Sequence, residues 1–99
     1  MREVSIEEVI NNLNNINIID IRDNYRFNIG NIPNSKNIPM NFLIMNASNY
    51  LNNEDTYYIY CEYGVSSKLT CQKLNEMGYD VVNISGGYNA YKLYEHLTK

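Results

Sequence analysis

The stretch Tyr57-Tyr58-Ile59-Tyr60-Cys61-Glu62-Tyr63-Gly64-Val65-Ser66-Ser67 decides how this chain folds. Its first four residues are β-favouring aromatics and Ile, with no Gly or Pro, and predict a strand. A cysteine follows, then a short loop with one glycine, two serines and a helical pattern. The order is a strand, a thiol at its carboxyl end, a tight loop and a helix N-terminus. In open parallel α/β sheets, ligands sit at the carboxyl ends of strands. Successive backbone N–H groups closed by a helix N-terminus gather positive potential, which favours a thiolate over a thiol. Cys61 is therefore a candidate nucleophile or group carrier. A cysteine packed into a core is the commoner case, but it needs neither the glycine nor the hydroxyl residues that follow here.

On the N-terminal side, Ser5-Ile6-Glu7-Glu8 offers an N-cap and acids in a first turn. Ile6, Val9, Ile10 and Leu13 make an apolar stripe at helical spacing. Residues 16–22 predict a strand whose near-continuous apolar run suits burial on both faces, ending in Asp20-Ile21-Arg22. Residues 24–39 read as a loop, apolar enough at Tyr25, Phe27, Ile29, Ile32 and Ile38 to lie over the core. Residues 42–51 predict a helix with Phe42, Leu43, Ile44, Ala47 and Leu51 inward, and residues 52–55 a polar turn.

On the C-terminal side, Ser66 or Ser67 is expected to cap a helix running to about Met77 and stopping at Gly78. Leu69, Leu74 and Met77 should face inward with Cys71 or Thr70. Cys71 is then most simply a core residue, a resolving thiol for Cys61 being the alternative. Residues 80–85 predict a third strand, Gly86-Gly87 a tight turn, and residues 88–97 a last helix with Ala90, Tyr91, Tyr94 and Leu97 inward. Alternating helices and strands imply βαβ units. The expected fold is one α/β domain over residues 1–99, a small, mainly parallel β-sheet flanked by helices on both faces.

Composition narrows the function. The net charge of -3 argues against nucleic acid as main partner, since phosphate binding wants a basic face. No apolar run approaches the ~20 residues of a membrane span, so no membrane partner is expected. Met1-Arg2-Glu3-Val4-Ser5 turns acidic without an apolar h-region. Two cysteines, no CxxC and no export signal read as free thiols in a reducing, cytoplasmic compartment. No His/Cys cluster has zinc-like spacing, so neither metal nor cofactor is expected. His96, the single histidine, falls in the last helical turn, where a cation suits the helix dipole. No uncovered apolar stripe stands out, and a monomer is the default.

Three segments give the chain a resemblance to the rhodanese (sulfurtransferase) family over nearly its full length. Asp20-Ile21-Arg22 is similar to the family's Asp-x-Arg strand end. Residues 27–39, Phe-Asn-Ile-Gly-Asn-Ile-Pro-Asn-Ser-Lys-Asn-Ile-Pro, resemble its Gly-His-Ile-Pro-Gly-Ala-x-Asn-Ile-Pro segment, with Asn31 for His, Asn34 for Gly and Ser35 for Ala. Gly86-Gly87-Tyr88-Asn89-Ala90-Tyr91 is similar to its Gly-Gly-aromatic-x-x-aromatic close. All three flank Cys61-x-x-Gly64-Val65-Ser66 in the family's order.

The resemblance implies that Cys61 takes sulfane sulfur from a donor, holds it as a persulfide and passes it to a thiol, a protein or another nucleophilic acceptor. Glu62, Tyr63, Gly64, Val65 and Ser66 become the substrate-binding loop, its amides stabilising negative sulfur without a metal. The Ser66 hydroxyl can donate to sulfur or cap the helix. Many family members carry Arg or Lys in this loop; here Glu62 follows the cysteine and Ser66 ends the loop. Glu62 should point outward and disfavour a dianionic donor, making thiosulfate a poor donor and a protein or low-molecular-weight persulfide the better one. Arg22 reads as a structural ion pair that fixes the loop rather than a substrate cation. The alternative function is a non-catalytic, rhodanese-like binding module, favoured by the missing loop cations. A cysteine phosphatase ranks last: the sixth position after Cys61 is Ser67, and no loop guanidinium is present to clamp a phosphoryl group.

Overall fold

The computed structural model describes residues 2–99. In chain order its elements are β1 (Arg2–Val4), α1 (Ile6–Ile10), β2 (Asn17–Asp20), α2 (Asn24–Ile29), β3 (Ser35–Asn37), α3 (Met40–Met45), α4 (Ala47–Tyr50), β4 (Thr56–Tyr60), α5 (Val65–Glu76), β5 (Asp80–Ile84) and α6 (Gly87–Leu97). The five strands form one sheet in the order β1-β5-β4-β2-β3, and every pairing is parallel.

β4 lies at the centre, and its side chains divide the interior by strict alternation. Tyr57, Ile59 and then Cys61 join Ile19, Ile21, Leu43, Ala47, Cys71, Leu74 and Val81, the core under α3, α4 and α5. Tyr58 and Tyr60 join Ile6, Val9, Ile18, Ile32 and Ile84 under α1 and α6. The α/β class with helices on both faces is therefore as the sequence predicts.

Two strands and one helix lie outside that reading. The edge strands β1 and β3 are three residues each, too short for a two-residue period to show. Ser35-Lys36-Asn37 is polar, as suits an exposed edge. The segment read as a loop contains α2, which Asp23 caps by accepting from Arg26 N at 2.8 Å. α2 buries none of its residues, so no apolar stripe announces it.

Helix faces also shift. The buried stripe of α5 is Ser67, Thr70, Cys71 and Leu74, at ideal helical spacing, while Leu69 and Met77 are 58% and 51% exposed. Two hydroxyl residues occupy the inner face; Thr70 satisfies its own by donating to Ser66 O at 2.8 Å. The helix expected over 42–51 breaks at Asn46 (φ -133) into α3 and α4, leaving Phe42 outside. Leu97 is exposed at the end of α6. Neither serine caps α5: the cap is Gly64, in the left-handed region at φ 94.

Candidate active site

From the sheet centre the chain leaves β2 towards one edge and β4 towards the other. The carboxyl ends of β2 and β4 therefore frame the topological switch point, where open α/β sheets bind ligands. A cleft of about 360 Å³ opens there, lined by Ile21 and Arg22 after β2, by Arg26 and Met40, and by Cys61, Glu62, Tyr63, Val65 and Ser66 after β4. Cys61 is 7% exposed, with core on one side and the cleft on the other.

The loop wraps the sulfur. Gly64 N donates to Cys61 Sγ at 3.2 Å and Ser67 N at 3.3 Å. Ser67 Oγ lies 3.3 Å from the same sulfur; it can accept from a thiol or donate to a thiolate. Val65 and Ser66 occupy the first turn of α5, where amides have no intrahelical acceptor. The serine at the sulfur is thus Ser67, one residue beyond the loop as read from sequence. Ser66 is exposed and lines the cleft. Helical periodicity could have found Ser67: it shares the inward stripe of Cys71 and Leu74.

The turn after β5 sets the shape of this loop. Tyr88 N donates to Cys61 O and Asn89 N to Glu62 O, both at 2.9 Å. With these carbonyls turned outward into the α6 N-terminus, the amides that follow can face inward. The approach is close: a Cβ at Gly87 would lie 2.3 Å from Cys61 O, and one at Gly64 2.9 Å from Gly86 N. Asn83 of β5 is fully buried and donates to Gly64 O at 3.4 Å.

Arg22 forms the opposite wall. Its Nε and Nη2 donate to the buried Asp20 carboxylate at 3.1 and 2.7 Å, its Nη1 to Glu62 Oε1 at 3.1 Å and its Nη2 also to Gly30 O at 2.6 Å. Its guanidinium carbon stacks 4.1 Å from the Tyr88 ring centroid. Burial opposes the charge, but Asp20 and then Glu62 outweigh it and hold the Arg22 pKa above its ordinary value. Asn37 Nδ2 braces the turn by donating to Asp20 O and Arg22 O at 2.9 and 3.0 Å. Glu62, expected to point outward, is instead drawn to Arg22, with 29% of its side chain exposed. Tyr63 is 67% exposed at the rim.

The second cysteine differs. Cys71 is fully buried in the core, and burial, followed by the nearby Cys61, pushes its thiol up to about 12. Both cysteines are free. Among the described residues no cluster of His, Cys, Asp or Glu could hold a metal ion, and no helix is long and apolar enough to cross a membrane.

A parallel α/β domain with one thiol cradled by main-chain amides at the end of its central strand defines a loop-cysteine protein of the α/β class. Comparison narrows this: the chain belongs to the rhodanese-like domain family, whose model matches residues 5–94. A rhodanese-like domain protein from Staphylococcus aureus is 35% identical, with a TM-score of 0.84 over 92% of this chain and 91% of its own. The protein SSP1007 from Staphylococcus saprophyticus is 36% identical, with a TM-score of 0.82 over 88% of this chain and 89% of its own. The adenylyltransferase and sulfurtransferase uba4 of Ogataea parapolymorpha is 32% identical over 71 residues, which are 71% of this chain but 18% of that relative's length.

Proposed function

We propose that this domain is a sulfurtransferase that carries sulfane sulfur as a persulfide on Cys61. The observation that carries the reading is the pair of amides, from Gly64 and Ser67, aimed at Sγ at the floor of an open cleft. Such donors, fixed before reaction, stabilise negative sulfur without reorganising. Family membership and the sulfurtransferase named among the relatives support the same class.

The Cys61 thiolate attacks the outer sulfur of a donor X–S. A new S–S bond forms, the X–S bond breaks, and X leaves with the electron pair, as a thiolate when the donor is a persulfide. The terminal sulfur then lies among the first-turn amides of Val65 and Ser66. An acceptor thiolate attacks it, and Cys61 departs as thiolate, restoring the starting state. Glu62, Tyr63 and Ser66 line the approach, and Gly64 supplies backbone. No Cys61–Cys71 disulfide enters the cycle, which suits a reducing cytoplasm, and the cycle asks for one copy of the chain and no cofactor.

The test is to incubate the protein with sulfane donors and weigh it intact. A gain of one sulfur atom, removed by dithiothreitol and abolished by Cys61→Ala, is the expected result. Absence of an adduct with every donor would leave the second reading, a non-catalytic binding module, which the lack of a loop cation favours.

A further inference from the structure

A second depression, of about 340 Å³, opens beside the Cys61 cleft. The two share Arg22, Arg26, Glu62 and Tyr63, so they meet across those side chains. Beyond the shared wall, the second depression is closed by Ile29 of α2 and by Tyr88 and Lys92 of α6. Among its lining side chains, the cations Arg22, Arg26 and Lys92 outnumber the single carboxylate, Glu62. Arg22 is held by two carboxylates, those of Asp20 and Glu62. Arg26 keeps an ion pair with Asp23, but 59% of its side chain remains exposed. Lys92 Nζ lies 5.4 Å from the Tyr88 ring centroid and has no carboxylate oxygen within 4.0 Å among the described residues. Two cations from different helices thus converge on one hollow that adjoins the sulfur site, in a chain of net charge -3.

We propose that this second depression binds the anionic tail, a carboxylate or phosphate, of a low-molecular-weight persulfide donor, with Lys92 and Arg26 as its cationic contacts. The proposal rests on the persulfide reading for its biological sense, since only a donor with its sulfur at Cys61 would span both hollows. Tyr63 stands on the shared wall, where it covers the link between sulfur and tail. A compact donor such as thiosulfate has no tail to reach Lys92, which lines the second hollow alone, so it forgoes that contact. Donor choice then lies in α2 and α6, outside the cysteine loop, where the loop itself offers no cation.

The test needs no sulfur chemistry. S-Methylglutathione, with carboxylate tails, and S-methyl phosphopantetheine, with a phosphate, are titrated into the wild-type chain while backbone amide shifts are followed. The expected result is perturbation of residues 26–29 and 88–92 by at least one ligand, weakened by added salt and absent with the diethyl ester of S-methylglutathione if carboxylate is the source. Lys92→Gln and Arg26→Gln should each raise the Kd of the responding ligand by roughly threefold, the scale of an exposed ion pair. Shifts confined to residues 61–67, or Kd values that neither variant moves, overturn the proposal. Tail binding with no persulfide from any donor overturns the carrier reading and leaves this anion site standing. A persulfide with no tail binding does the reverse.

Discussion

Arg22 Nη1 holds the Glu62 carboxylate at 3.1 Å across forty positions of chain, tying the end of β2 to the residue after Cys61. Nε and Nη2 of the same guanidinium donate to Asp20, which is 0% exposed, and Nη2 also donates to Gly30 O. The two halves of this network differ in worth. Removing Arg22 strands a buried carboxylate, whereas removing the Glu62 charge leaves an Arg still paired. Arg22→Ala should cost about 3–5 kcal/mol in urea unfolding, and Glu62→Gln less than about 1 kcal/mol. Equal costs would show that Asp20 is not the anchor.

For the proposed sulfur transfer, the same pair should set which donor charge is accepted. The carboxylate of Glu62 lines the cleft, where it opposes a dianion. In Glu62→Gln the KM for thiosulfate in persulfide loading should fall by roughly threefold to tenfold, and less so at high salt. A KM that stays put would mean Arg22 already neutralises Glu62 fully.

Donation to Sγ can be dissected at Ser67 and Gly64. Ser67→Ala removes a hydroxyl 3.3 Å from the sulfur but keeps the amide, so the loading rate should fall roughly tenfold while the fold persists. Gly64→Ala forces a side chain into φ 94 and against Gly86 N at 2.9 Å. It should lose about 1–3 kcal/mol of stability and reduce loading more than Ser67→Ala does. Single-turnover kinetics with equal rates for both variants would rule out the loop amides as the stabilising group.

Cys71 marks the alkaline limit. Its thiol is raised to about 12 in the folded chain, burial being the first cause, against about 8.5 for a free thiol. Below the free value both states keep the proton and nothing is lost. Between the two values the unfolded chain releases it and the folded chain does not, so stability falls by up to about 1.4 kcal/mol per pH unit. Cys71→Ala should cost about 1 kcal/mol near neutrality through its cavity and flatten this alkaline slope. Parallel stability–pH curves for wild type and variant would contradict the burial argument. Iodoacetamide at neutral pH should label Cys61 and spare Cys71 in the native protein.

Much of this was legible in the sequence because it is local. The Tyr57-Tyr58-Ile59-Tyr60 run and the cysteine-to-helix transition lie within eleven residues, and they place the central strand and its loop. The Arg22–Glu62 pair has no local signature: nothing about Glu62 itself tells that a guanidinium waits forty residues away. Ser67 escaped for another reason. Apolar spacing predicts Leu69 and Met77 on the inner face of α5, but beside the Cys61 sulfur that face carries hydroxyls, while Leu69 turns to solvent. The edge strands and α2 bury too little to leave a period.

Gly30 and Tyr88 join two of the family segments in a contact that can be tested alone. Gly30 is extended, with φ -176, so its backbone tolerates any residue; what excludes a side chain is space. A Cβ there would lie 2.1 Å from Tyr88 Oη and 3.1 Å from the ring carbon that bears it. The ring cannot easily withdraw, since it stacks under Arg22 at 4.1 Å and against Tyr91 at 6.0 Å between centroids. Gly30→Ala should therefore destabilise by about 1–3 kcal/mol through overpacking. Tyr88→Phe removes the hydroxyl and should recover most of that loss in the double variant, a coupling between neighbours that a thermal double-mutant cycle measures directly. Additive costs would mean that the strain at Gly30 comes from elsewhere, and that the Arg22 guanidinium donating to Gly30 O, rather than ring packing, positions this segment over the site.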